Sequence, residues 1–226
     1  MTYFEILKKI KSLGSKKAIK GMARFGIRPK TKVCGVSMTD LRALAKNIEK
    51  NHALALRLWN SGVHEAQILA SIVDKIEKVT EKQIDQWIKD FDSWDVCDQV
   101  CMNLFWRTPM AFRKAIEWSK REREFEKRAG FAMMAVLAWK DKKALDAKFK
   151  KFLPLIKKYA MDERNFVKKA VNWALRQIGK RNAALNNSAI KIAKEILKID
   201  SKSARWIASD AIKELESAVI QKKLEE

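Results

Sequence analysis

Apolar residues in this chain recur at helical spacing almost from end to end, and strand-like alternation is nearly absent. Such a chain must bury many amphipathic helix faces against one another. The spacing predicts helices near 2–12, 15–24, 38–49, 53–60, 63–78, 81–91, 94–106, 109–120, 124–140, 142–159, 163–180, 186–198 and 203–222. Local start signals agree with several of them. Thr80 stands before Glu81, and Pro109 suits a first helical position. Asp162 is placed to cap the helix carrying Trp173, and Ser201 to cap the last one. Pro154 is expected to break or kink 142–159. Residues 25–37, FGIRPKTKVCGVS, form the longest predicted loop, and it is basic. From Ala129 to Trp139 the sequence AGFAMMAVLAW is apolar all round, which predicts a buried central helix.

About a dozen short helices joined by short turns imply antiparallel helix pairs. They recur roughly every 35 to 40 residues, near the period of HEAT-like repeats. The expected fold is all-α: a HEAT-like α-solenoid of stacked antiparallel helix pairs, one domain over 1–226, with a basic concave face. A globular all-α bundle is the alternative. A solenoid's concave face can be lined by segments far apart in sequence.

The formal charge is +21, and its placement is uneven. Residues 1–32 carry ten basic groups and one acid, and residues 140–182 carry fourteen basic groups and four acids. Two separate basic zones point to a polyanion-binding surface. Their helices also carry core-type apolar residues, which favours nucleic acid over a membrane surface. There is no apolar run of membrane-spanning length and no basic-then-apolar leader, so no membrane partner is expected. Cys97 and Cys101 read as small core residues, consistent with a reducing cytoplasm. His52 and His64 form no cluster with the cysteines at ligand spacing, so neither a metal nor a cofactor is expected.

Residues 93–98, Ser-Trp-Asp-Val-Cys-Asp, open a predicted helix. Trp94 and Asp98 are one turn apart and share a face. Cys97, Cys101, Leu104 and Phe105 make the core stripe, and Asp95, Gln99 and Asn103 the polar one. Asp98 falls on the seam between them. A carboxylate beside an indole, half out of water, can stabilise a cation or orient a water. It can equally be an acid near a helix N-terminus beside a core Trp. Arg128 opens the apolar 129–139 stretch and needs a partner there. That partner is either Glu124, one turn back, or a ligand. Trp173 projects to the side of its helix core between Lys169 and Arg176. It is a core-edge residue covered by their stems or a nucleic-acid contact.

Taken in order, Ser-Trp-Asp-Val-Cys-Asp at 93–98, Glu-Lys-Arg-Ala at 126–129 and Val-Lys-Lys-Ala-Val-Asn-Trp-Ala-Leu-Arg at 167–176 resemble the AlkD-type DNA alkylation repair glycosylases. Weaker matches are Gly-Val-Ser-Met-Thr-Asp-Leu-Arg at 35–42 and Leu-Trp-Asn-Ser at 58–61, so the resemblance spans roughly 38–181. It implies HEAT-like repeats and excision of cationic alkylated purines, 3-methyladenine and 7-methylguanine, from duplex DNA. Asp98 would then be the catalytic aspartate, Trp94 and Trp173 cleft aromatics, and Arg128 a backbone contact near the lesion. Lys169 and Arg176 flank Trp173 as further candidate DNA contacts. The protein would act as a monomer in the cytoplasm, nucleoid-associated if prokaryotic. Ser93 stands where the best-known members have a second Trp. Some branches of the family bind branched DNA without excising bases, so a catalytically silent binder is the alternative. A protein-interaction solenoid is a third reading, disfavoured by Trp94, Asp98, Arg128 and Trp173 occurring together.

Overall fold

The computed structural model describes residues 1–225. Their regular elements are helices, and the one extended pairing among them is an isolated bridge between Lys32 and Val63. The chain divides into two compact units, Met1–Thr108 and the segment from Pro109 onward. No helix among the described residues is long and apolar enough to cross a membrane.

The first unit contains α1 (Tyr3–Ser12), α2 (Lys16–Arg24), α3 (Met38–Lys46), α4 (His52–Trp59), α5 (His64–Val73), α6 (Glu81–Trp87) and α7 (Trp94–Asn103). α5 is its centre and packs against α1, α3, α4 and α7. Its sequence, HEAQILASIV, is buried at nearly every position, including the polar residues. Several predicted helices end early in a tight 3-10 turn. The 63–78 segment is α5 followed by a turn at Ile76–Lys78, 81–91 is α6 with Ile88–Asp90, and 94–106 is α7 with Phe105–Arg107. Thr80 caps α6 as expected, accepting from the Gln83 N–H at 3.2 Å. Trp59 and Trp87 stack with centroids 3.9 Å apart, and the Trp59 indole donates to Asp90 at 2.8 Å.

The second unit contains α8 (Ala111–Ser119), α9 (Glu124–Lys140), α10 (Asp146–Lys150), α11 (Leu153–Tyr159), α12 (Asn165–Gly179), α13 (Ala183–Leu197), α14 (Lys202–Leu215) and α15 (Ala218–Glu225). Ala129–Ala138 is the buried heart of α9, which packs between α8 and α12, whereas Trp139, the end of the predicted buried stretch, is 45% exposed. Pro154 does break its segment: the chain stops after α10 and restarts with Pro154 in the first turn of α11. Ser201 caps α14, accepting from Ala204 N–H at 3.2 Å. The long final helix predicted over 203–222 is instead two, α14 and α15, separated by Glu216 and Ser217.

Two predicted start signals act differently. Pro109 lies before the helix, and α8 begins at Ala111 behind Met110. Arg164, not Asp162, is the residue preceding α12. The Asp162 carboxylate instead accepts from the Arg164 backbone N–H at 3.1 Å and from its guanidinium. A bidentate Arg neighbour wins that carboxylate over the helix end.

Gly130 lets α9 close on α8. A Cβ there would lie 2.7 Å from Ser119 Cα and closer still to its backbone nitrogen. Backbone cannot swing aside as a flexible side chain can, so the helices would have to part. Gly130→Ala is expected to destabilise the second unit by about 1–3 kcal/mol, the usual cost of overpacking. The gain in helix propensity offsets no more than about 1 kcal/mol of this. Thermal unfolding followed by circular dichroism checks it; an unchanged or raised Tm would contradict the close approach.

Candidate functional site

The basic loop that follows α2 is clamped along its length. The Phe25 carbonyl accepts from the Trp94 indole N–H at 3.0 Å. The Lys30 N–H donates to Asp92 at 2.7 Å. Lys32 exchanges backbone hydrogen bonds with Gly62 and His64, at 2.8 and 3.0 Å. The Glu65 carboxylate, itself buried, accepts from the backbone N–H groups of Cys34 at 3.0 Å, Gly35 at 2.6 Å and Val36 at 3.3 Å. Gly35 has φ +79° there, a conformation that favours glycine. Three N–H groups converging on one carboxylate are the mirror of an anion-binding nest, with the protein supplying its own anion.

Beside Glu65, fully buried His64 shares a 2.7 Å hydrogen bond between Nε2 and Asp95 Oδ2. This pair joins the start of α5 to the first turn of α7, where Trp94 stands one turn before Asp98. Burial works to lower the His64 pKa, but the Asp95 hydrogen bond and charge, with the charges of Glu65 and Asp92, raise it above its ordinary value. Burial likewise works to raise the Asp95 carboxyl, and His64 outweighs it and holds the carboxyl low.

Of the residues singled out in the sequence, Trp94 and Asp98 belong to this first unit. Trp94 is half-buried with its indole plane fixed by Phe25. Asp98 is 8% exposed, one turn on along α7, deeper than the seam position the spacing predicts. The other four lie in the second unit. Arg128, on α9, is 6% exposed and donates through Nη1 to the Phe166 carbonyl of α12 at 2.6 Å. That gives the buried guanidinium a backbone partner on the neighbouring helix. On α12, Lys169 is exposed and Trp173 half-buried. Arg176 is drawn to α14, with Glu214 at 2.6 Å and Asp210 at 3.5 Å. Lys180 meets Glu214 at 2.7 Å, and Asn172 donates to Asp210 at 2.6 Å. One flank of α12 is therefore stitched to α14 by acids. Lys169 has no ion-pair partner among the described residues.

The basic zones divide in the same way. All ten Lys and Arg of residues 1–32 are exposed, and none has an ion-pair partner among the described residues. In the second zone Lys142, Lys143, Lys150 and Lys151 are likewise exposed and unpaired, whereas Arg181 serves the fold. Its guanidinium donates to the carbonyls of Ala138, Asp141 and Ala144 at 3.0, 2.7 and 3.0 Å. The first two of those contacts satisfy carbonyls at the C-terminal end of α9, and the third ties down the loop after it. Among the described residues no group of three or more His, Cys, Asp or Glu could hold a metal ion.

His64, Glu65 and Asp95 carry no role in the sequence reading. The signal for them is a His-Glu pair opening an otherwise apolar helix, since buried charge demands partners.

A family model described as DNA alkylation repair enzyme matches residues 6–215. A solved structure described as "a new family of proteins related to the HEAT-like repeat DNA glycosylases with affinity for branched DNA structures" superposes with a TM-score of 0.81. It is 22% identical, and the match covers 99% of this chain and 96% of that one. The fold is therefore a HEAT-like repeat. No curated protein matches the chain.

The His64–Asp95 pair sets a stability window. His64 is raised in the folded state, so its contribution is complete below its unfolded pKa of about 6.5 and is lost as pH rises through the folded value. Asp95 is lowered, so its contribution is complete above about 3.9 and is lost as pH falls through its folded value. Urea unfolding is expected to show the first unit most stable between those limits and weaker by pH 8. His64→Gln should abolish the alkaline decline and cost about 3–5 kcal/mol at pH 5.5, since it strands a buried carboxylate. A decline of the same size in His64→Gln would refute the assignment.

Proposed function

Because the chain belongs to the DNA alkylation repair enzyme family, we propose that it is an alkylpurine DNA glycosylase acting on 3-methyladenine and 7-methylguanine in duplex DNA. The observation that carries the reading is Asp98, a carboxylate held nearly out of water one turn from a fixed indole. These lesions are cationic as nucleotides and leave as neutral bases, so no general acid is needed. One carboxylate then suffices where most glycoside hydrolases need two. As the N-glycosidic bond breaks, positive charge builds on the deoxyribose. Asp98 stabilises that oxocarbenium-like sugar and orients the attacking water. Trp94 offers an electron-rich face and excludes bulk water. Arg128, Lys169, Trp173 and Arg176 contribute DNA contacts from the second unit. Arg128 and Arg176 do so with guanidiniums that protein groups also hold in place.

The alternative is a catalytically silent member of the same family that binds branched or damaged DNA. Two observations favour it: Ser93 in place of a second Trp, and the related structure's described affinity for branched DNA.

Asp98→Asn keeps the side chain's size and removes its charge. Single-turnover release of 7-methylguanine and 3-methyladenine from alkylated duplex is expected to fall on the order of 10²–10³-fold. DNA affinity should be nearly unchanged. Trp94→Ala and Trp173→Ala should lose less. Unchanged excision by Asp98→Asn would refute the mechanism. No excision by the unaltered protein, with tight binding to a four-way junction, would establish the silent binder instead.

Binding itself should be electrostatic. If about 5 phosphates are neutralised, log K falls against log salt with a slope of about −4.5. Replacing Lys16, Lys17, Lys20 and Arg24 of α2 with Gln should flatten that slope and weaken all sequences alike. A slope unchanged by those four replacements would remove α2 from the interface.

A further inference from the structure

α9 ends on a residue that does not share its burial. Ala129–Ala138 is out of water, and Trp139, next in the same apolar run, is 45% exposed. The Lys140 ammonium lies 3.8 Å from the centre of its ring. Trp139 also forms part of a cavity of about 150 Å³, lined by the ends of α9 and α12 and by α15. Ile220 and Leu224 of α15 add apolar surface, Gln177 of α12 an amide, and Lys142, Lys180 and Lys223 cations. None of the described residues lining it is acidic.

Its walls are held in place. Arg181 donates to the carbonyls of Asp141 and Ala144, on either side of Lys142, at 2.7 and 3.0 Å. Gln221 pins α15, donating to the Leu215 carbonyl at 2.6 Å and to Asn186 at 3.2 Å. Lys180 is braced by Glu214 at 2.7 Å, which offsets its charge. Lys142 and Lys223 are exposed and have no ion-pair partner among the described residues, so an anion there meets two uncompensated charges.

Size and chemistry together set the ligand. The space is several times the roughly 30 Å³ of one water. It is well short of the roughly 300 Å³ where sites for drug-sized molecules begin. One ring fits, and the rest of a larger ligand must lie outside. The indole and the apolar side chains suit the ring, and the exposed cations suit a negative group attached to it. An unpaired nucleotide has that division, a flat base joined to a phosphate. An aromatic platform beside a positive surface is how proteins hold single strands without reading their sequence. The place fits as well. Lys169, Trp173 and Gln177 follow one another at one-turn intervals along α12 and share a face, and Lys180 comes just after the helix. The cavity therefore continues the row of candidate DNA contacts on α12.

We propose that this cavity is a subsite for one unpaired nucleotide of a single-stranded DNA arm, its base against Trp139 and its phosphate on Lys142 and Lys223. The inference rests on the DNA-binding part of the reading above and is independent of excision. No base has to leave a duplex. The nucleotide is already unpaired, as at a branch or a strand end, so the stacking on Trp139 is gained without breaking a base pair.

The test uses the full chain and one undamaged duplex in three forms: blunt, with a short unpaired thymidine tail, and with a tail of abasic sugars that keeps the phosphates and lacks the bases. Anisotropy of a labelled strand reports affinity. The thymidine tail is expected to tighten binding at least about fivefold over the blunt duplex, the lower end of what one base–aromatic stack contributes. The abasic tail should give a smaller gain. Trp139→Ala should remove the difference between the two tails without changing blunt-duplex affinity, and Trp139→Phe should keep most of it. Each tail phosphate held should add about −0.7 to the log–log salt slope, and Lys142→Gln with Lys223→Gln should remove that addition. Circular dichroism melts confirm that each variant folds. No gain from the thymidine tail overturns the proposal, as does an equal gain from the abasic tail or a gain that survives Trp139→Ala. A free thymidine oligonucleotide separates this inference from the reading it rests on. Trp139-dependent binding of the oligonucleotide without blunt-duplex binding would sink the duplex reading and support the subsite. Blunt-duplex binding with neither tail nor oligonucleotide bound would do the reverse.

Discussion

The first unit depends on how the start of α5 is satisfied. His64 and Glu65 are polar residues at the centre of a packed helical core, and neither can be left unpaired there. Glu65 gathers three backbone N–H groups of the 34–36 segment, and His64 reaches Asp95 on α7. Two adjacent side chains thereby fix a loop on one side and a helix on the other. The same loop is held further along by Asp92 and Trp94. Its ten-cation neighbourhood is a positioned surface as a result, and the indole beside Asp98 gains a defined orientation.

The second unit solves a different problem, that of packing long helices closely. α9 is apolar through its middle and approaches α8 through Gly130, and its end is satisfied by Arg181. α12 is tied to α14 by Asn172, Arg176 and Lys180 on Asp210 and Glu214. Burial works to raise the Glu214 carboxyl, and Lys180 and Arg176 together hold it low. Acids in this chain are largely spent on such internal ties. Cations outnumber them and are left facing water, and so a net charge of +21 becomes a surface that attracts polyanions.

Repair chemistry on a cationic lesion asks little of a protein: one carboxylate, a dry neighbourhood and phosphate contacts. Asp98 is nearly buried on a helix whose first turn is anchored by His64 and Phe25. In the proposed excision, preorganised charge of this kind would need no reorganisation as positive charge develops on the sugar. A shared scaffold does not by itself fix an activity, so the choice between excision and binding would rest on the carboxylate's surroundings.

Local rules were enough for the all-α class, most helix positions, the caps at Thr80 and Ser201, the break at Pro154 and the burial of 129–138, though not for the exposure of Trp139. Each rests on neighbours within a turn or two of one helix, where period and capping chemistry act. Trp94, Asp98, Arg128 and Trp173 stand out as a set in the sequence because their types and order resemble those of a known family. Their settings were not. Asp162 went to Arg164, Arg176 went to the acids of α14, and Arg128 met a carbonyl of α12, each through partners that sequence spacing leaves open. His64 with Asp95, and Glu65 with Cys34, Gly35 and Val36, are separated by about thirty residues. Only packing brings such groups together, because a buried charge accepts whichever partner the fold delivers. The sequence by itself determined the helices and their cationic excess; the tertiary structure decided which polar groups are buried and which partners satisfy them, because those partners come from distant parts of the chain.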